Sequence, residues 1–117
     1  MLAKSARLTE SADFGRATKS SLRFSTSHFV GYLYPTDNAL PARAGLIISK
    51  NVGGSVVRHR IARQIRHTVQ EIYPQLPNGG LLVIRALNSA ANADTAQDVQ
   101  KIVGQLVKKL SEKAQQR

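Results

Sequence analysis

Arg58, Arg60, Arg63 and Arg66 stand within nine residues, with His59 among them and His67 just after, and no carboxylate occurs from Asn38 to Gln70. Guanidinium groups at helical-neighbour spacing repel one another and cost an isolated helix stability. A face built this way makes sense where an anion neutralises it. Arginine at all four positions, in place of lysine, favours a planar two-pronged grip on phosphate and stacking on bases. Arg43 and Lys50 extend the same carboxylate-free span. The chemistry indicated is recognition of a polyanion; the alternative is a solvated amphipathic helix.

Acid–base, nucleophilic and metal chemistry find less material. Seven carboxylates are spread over the chain, and only Asp94 and Asp98, one helical turn apart, come close to a pair suited to proton transfer. Their place at the start of a helix reads as charge complementing the helix dipole. His59 and His67 would stand about 80° apart and about 12 Å along a helix, too far to share an ion. The chain has no cysteine, hence no disulfide and no thiolate metal site. Gly53-Gly54-Ser55 precedes a helix and offers backbone amides to an anion. It lacks the GxxxxGK(S/T) spacing of a nucleotide-hydrolase loop, and it reads equally as a plain turn. No catalytic residue, metal site or cofactor site of the chain's own is expected.

The elements that must position the arginines can be read from the apolar spacing. Val57, Ile61, Ile65, Val69 and Ile72 make one stripe of a helix running from a Ser55 cap to about Tyr73, stopped by Pro74. The arginines and histidines fan across its other side. Before it, Ala44 to Lys50 is a short strand-type run, and His28 to Tyr34 alternates as a strand with two chemically different faces. Thr9 to Lys19 reads as a short helix capped by Thr9 or Ser11, and Pro35 to Asn38 as a turn. Leu81 to Ala86 is a second buried-type strand. A final helix opens at Asp94 or Thr95, with Ala96, Val99, Ile102, Val103, Leu106, Val107 and Leu110 as its stripe. The strand–helix–strand stretch 44–86 predicts parallel pairing with the cationic helix as crossover.

Composition bounds the class. The 117 residues fit one domain, 1–117, with 112–117 expected to fray. A net charge of +10, from 17 Lys plus Arg against 7 Asp plus Glu, implies a polyanionic partner. Hydrophobic content of 42% with clear periodicity argues against disorder. The longest aliphatic run, Leu81 to Ile84, is far short of the ~20 residues of a membrane helix. Lys4, Arg7, Glu10 and Asp13 interrupt any secretory segment at the start. A cytoplasmic location is expected, with neither a membrane nor a small-molecule substrate as partner.

From Ser49 to Arg66 the chain reads S-K-x-V-G-x-x-V-x-R-x-R-I-x-R-x-I-R, which resembles the signature of the bacterial ribonuclease P protein subunit. The likeness extends to Leu8 with Asp13-Phe14, the strand Phe29 to Tyr32, the strand ending at Arg85, and the closing amphipathic helix. It implies an α+β fold (an α/β sandwich) of order α-β-β-β-α-β-α, with a four-stranded sheet and a left-handed βαβ crossover, of the ribosomal protein S5 domain 2-like kind. A further short strand near Leu22 to Ser25 follows from it. The resemblance implies that Ser49, Lys50, Arg58, His59, Arg60 and Arg63 engage a large catalytic RNA. Phe14, Tyr32 and Arg66 would line a cleft for the single-stranded 5′ leader of precursor tRNA. Endonucleolytic removal of that leader would be the work of the RNA with its Mg²⁺ ions.

Four positions depart from the family's usual pattern: Asn51 for a second lysine, His59 for asparagine, Ala62 for a frequent lysine and Thr18 for a second aromatic. Phe14 and Tyr32 read alternatively as core residues. The rival functions are a structural or chaperone RNA-binding protein of similar fold and a major-groove DNA reader. The second is disfavoured, because recognition helices follow a helix and a turn, whereas here a strand and Gly53-Gly54 precede.

Overall fold

The apolar spacing resolves into three helices and four strands in a computed structural model that describes residues 7–8, 11–36 and 39–115. In chain order these are α1 (Ser11–Thr18), β1 (Arg23–Ser25), β2 (Phe29–Pro35), β3 (Arg43–Ile47), α2 (Ser55–Ile72), β4 (Gly80–Ala86) and α3 (Thr95–Gln115). The sheet order is β1-β2-β4-β3. β1 and β4 both run antiparallel to β2, and β3 runs parallel to β4, so α2 is the crossover that the sequence predicts. The Thr9 cap and the Asp37-Asn38 part of the turn lie outside the described residues.

Three boundaries differ from the sequence reading. Gly54 caps α2, with an extended backbone and a carbonyl that accepts from Arg58 N–H at 3.0 Å, and Ser55 is the first helical residue. β3 stops at Ile47, because Lys50–Val52 already turns as a single 3-10 turn closed by Val52 N–H on the Ser49 carbonyl. α3 continues through Gln115, past the point where fraying was expected; Glu112, Lys113, Ala114 and Gln115 are all good helix formers. The start of α3 follows the reading, since Asp94 Oδ1 accepts the Gln97 N–H at 3.1 Å.

The sheet has two covered faces. On one, Phe29, Leu33, Leu82 and Ile84 are fully buried with Ile61, Ile65 and Val69 of α2 and Ile102 and Leu106 of α3. α3 crosses β2 so closely that a Cβ at Gly31 would lie 2.1 Å from Ile102 Cγ2. On the other face a smaller cluster joins Leu8, Ala17 of α1, Val30, Tyr32, Leu81 and Val83. α1 is pinned there by buried Asp13, whose carboxylate faces Arg43 at 3.2 Å and Arg16 at 3.6 Å. The chain at Arg7-Leu8 runs parallel along the outer edge of β3, with Leu8 N–H donating to the Ala44 carbonyl at 2.8 Å.

Candidate nucleic-acid interface

Because the apolar stripe of α2 faces the core, its remaining positions are fixed in direction. His59, Arg60 and Arg63 are exposed, while Arg58 and Arg66 are half-buried along the flank. Val56, His59, Arg60, Arg63 and Arg66 line an open groove of about 560 Å³ along the helix. Val56, 82% exposed, supplies an aliphatic surface among the cations. Ser49 and Lys50 are exposed at the turn that leads into the helix and packs against it.

The electrostatics of this face are one-sided. Among the described residues the ion pairs are Arg16–Asp13, Arg43–Asp13 and His67–Glu71, the last at 3.0 Å. None involves Arg58, Arg60, Arg63, Arg66 or Lys50. Arg60 spends one guanidinium donor on the Ala91 carbonyl at 3.1 Å, which steadies the side chain and leaves its charge unneutralised. Among the described residues Arg58 Nε is buried without a hydrogen-bond partner. A buried unpaired donor is costly until something accepts from it.

A second, smaller cavity of about 240 Å³ lies at the edge of β3, lined by Arg7, Leu8, Phe14, Ala44, Gly45, Leu46 and Arg66. It brings together two residues that the sequence analysis assigned to one cleft, Phe14 and Arg66. Phe14 lies over Gly45, where a Cβ would approach its Cζ to 2.5 Å. Arg66 lines both this cavity and the helix groove, and so joins them. Tyr32 is not part of the cavity. Assigned to the same cleft by the resemblance and alternatively to the core, it is 7% exposed within the α1-side cluster, with the Arg23 guanidinium 5.8 Å from its ring centre. The reason is that α1 covers this part of the sheet.

Sequence reasoning missed Arg7 and Gly45. Arg7 carries no local signal, since a chain segment pairing with β3 from 37 residues away brings it there. Gly45 sits in a short apolar run that gives no hint of a ring above it. Three of the four departures from the family pattern can be placed locally. Thr18 Oγ1 donates to the Phe14 and Gly15 carbonyls at 3.0 and 3.2 Å, closing the last turn of α1, and Ala62 is buried. His59 is exposed within the groove. Among the described residues no three His, Asp or Glu side chains converge as metal ligands would, and no helix is long and apolar enough to cross a membrane. The arrangement is suited to gripping phosphates and stacking a base.

Comparisons with known proteins point the same way. The family model described as Ribonuclease P matches residues 2–111. A Ribonuclease P protein component from Streptomyces avermitilis is 38% identical over 105 residues, covering 83% of this chain and 85% of that protein. Among solved structures, the Staphylococcus aureus RNase P protein superposes with a TM-score of 0.74 at 26% identity, covering 90% of this chain and 94% of that one. The RNase P protein from Thermotoga maritima, at 18% identity, shares the fold with a TM-score of 0.70 over 87% of this chain and 96% of that one.

Proposed function

We propose that this chain, which belongs to the ribonuclease P protein family, serves that tRNA-processing ribonucleoprotein by binding its catalytic RNA and the 5′ leader of precursor tRNA. Ser49, Lys50, Arg58, His59, Arg60 and Arg63 hold the catalytic RNA. Each phosphate they neutralise releases counterions and offsets the repulsion that resists compaction of a large RNA. Phe14 and Arg66 hold the leader, the ring stacking on a base and the guanidinium meeting a phosphate. Base–aromatic stacking contributes about 1–3 kcal/mol per base and tolerates sequence variation, which suits a segment that differs from one precursor to the next. Tyr32 serves the leader indirectly, by supporting the α1 helix that carries Phe14.

In this reading the protein supplies no catalytic side chain. Phosphodiester hydrolysis, giving the mature tRNA 5′ end, belongs to the RNA subunit with its Mg²⁺ ions, in the cytoplasm. Precursor is preferred over mature tRNA because only the precursor reaches the Phe14–Arg66 cavity.

The observation that carries this reading is the arginine face of α2, which has no carboxylate partner among the described residues. The test is reconstitution with the catalytic RNA at low Mg²⁺, using precursor tRNAs with long and minimal leaders. The expected result is stimulation that is greater for the long leader. Equal stimulation of both would remove the leader cavity from the account. No stimulation would favour a general RNA chaperone.

A further inference from the structure

The cavity at the β3 edge is lined by two arginines, Arg7 and Arg66, and by one aromatic residue, Phe14. Among the described residues Arg7 has no carboxylate partner, and its Nε is buried without a hydrogen-bond acceptor. Two cations converging on one small cavity repel each other unless an anion enters. The buried donor adds a second demand, for an acceptor oxygen at the same place. At about 240 Å³ the cavity falls below the usual range of about 300–1,000 Å³ for ligand sites, a size suited to a single nucleotide unit at most. Phe14 provides the stacking surface that such a unit needs beside its phosphate.

We propose that Arg7 is a leader-binding residue, clamping with Arg66 a single leader phosphate whose base stacks on Phe14. The inference rests on the leader reading above and adds a residue and a stoichiometry to it: one phosphate, two arginines, one base. Arg7 owes its place to the main chain, through the bridge to Ala44 and the Leu8 N–H bond. Its side chain can therefore be changed with the segment still docked.

The test uses reconstituted ribonucleoprotein and precursor tRNAs carrying one uncharged methylphosphonate, stepped along the leader. Arg7→Gln is expected to weaken precursor binding by about tenfold, equivalent to about 1.4 kcal/mol, with a much smaller change for mature tRNA. At one leader position the methylphosphonate should weaken binding to the parent and cost the Arg7→Gln protein far less. Arg7→Lys should retain the sensitivity at that same position. If Arg7→Gln weakens precursor and mature tRNA equally, or couples to no single phosphate, the proposal is wrong. If Arg7→Gln is silent while Phe14→Ala and Arg66→Gln lose the precursor preference, Arg7 is excluded and the leader reading stands. Silence of all three variants would overturn both.

Discussion

Replacing Gly45 by alanine perturbs the Phe14–Arg66 cavity proposed for the leader without altering any charge. A Cβ at that position would lie 2.5 Å from Phe14 Cζ, 2.6 Å from Cε1 and 3.1 Å from Leu8 Cβ, against about 3.5–4.0 Å for carbons in contact. β3 cannot withdraw, since it pairs with β4 along one edge and is bonded to Leu8 through Ala44 on the other. The half-buried Phe14 ring must therefore retreat by about 1 Å or more. Overpacking of this kind costs about 1–3 kcal/mol, which lowers Tm by about 4 °C per kcal/mol in a domain of this size. Lifting the ring off a stacked base forfeits about 1–3 kcal/mol, so preference for precursor over mature tRNA should fall by about 5-fold to about 150-fold. The assays are a thermal melt of the protein and equilibrium binding of both tRNAs to the reconstituted particle. Adding Phe14→Leu to Gly45→Ala should recover Tm and leave the preference low. A Gly45→Ala protein with reduced Tm and an unchanged precursor-to-mature ratio would refute the placing of Phe14 on the leader.

Three further outcomes are expected. Tyr32→Ala empties a buried site and should lower stability by about 3 kcal/mol or more, read by denaturant unfolding, whereas Tyr32→Phe should stay near the parent; an unaffected Tyr32→Ala would mean the ring is not core. Asp13→Asn removes the buried charge opposite Arg43 and should cost about 1–3 kcal/mol, measured the same way, with a weaker leader preference because α1 loosens. Arg60→Ala should weaken catalytic-RNA binding and reduce the slope of log affinity against log salt by about one, as seen by titration at several salt concentrations.

The arginine helix was legible because five apolar residues at helical steps leave only one way to turn it, and that fixes where every guanidinium points. The parallel pairing of β3 with β4 followed from the same segment. β1 was invisible to pattern: Arg23-Phe24-Ser25 is too short to alternate, and it is held by pairing with β2 and by Lys109 Nζ on the Arg23 carbonyl at 3.0 Å. Alternation in β2 did place Tyr32 on the second face of the sheet. Whether that face was wet depended on α1, and α1 is fixed there by Asp13 meeting Arg43 thirty positions away. The same non-local docking hid Arg7. For Tyr32 and Arg7, what a sequence window could not carry was a contact between segments distant along the chain.

Whether guanidinium groups of α2 meet an RNA backbone is read most directly by the salt dependence of binding to the catalytic RNA. Parent protein and the combined Arg58→Gln, Arg60→Gln, Arg63→Gln variant are titrated over a range of monovalent salt. If each arginine neutralises one phosphate, the slope of log affinity against log salt should become shallower by about 2–3. Parallel lines for the two proteins would contradict the account, whatever the change in affinity.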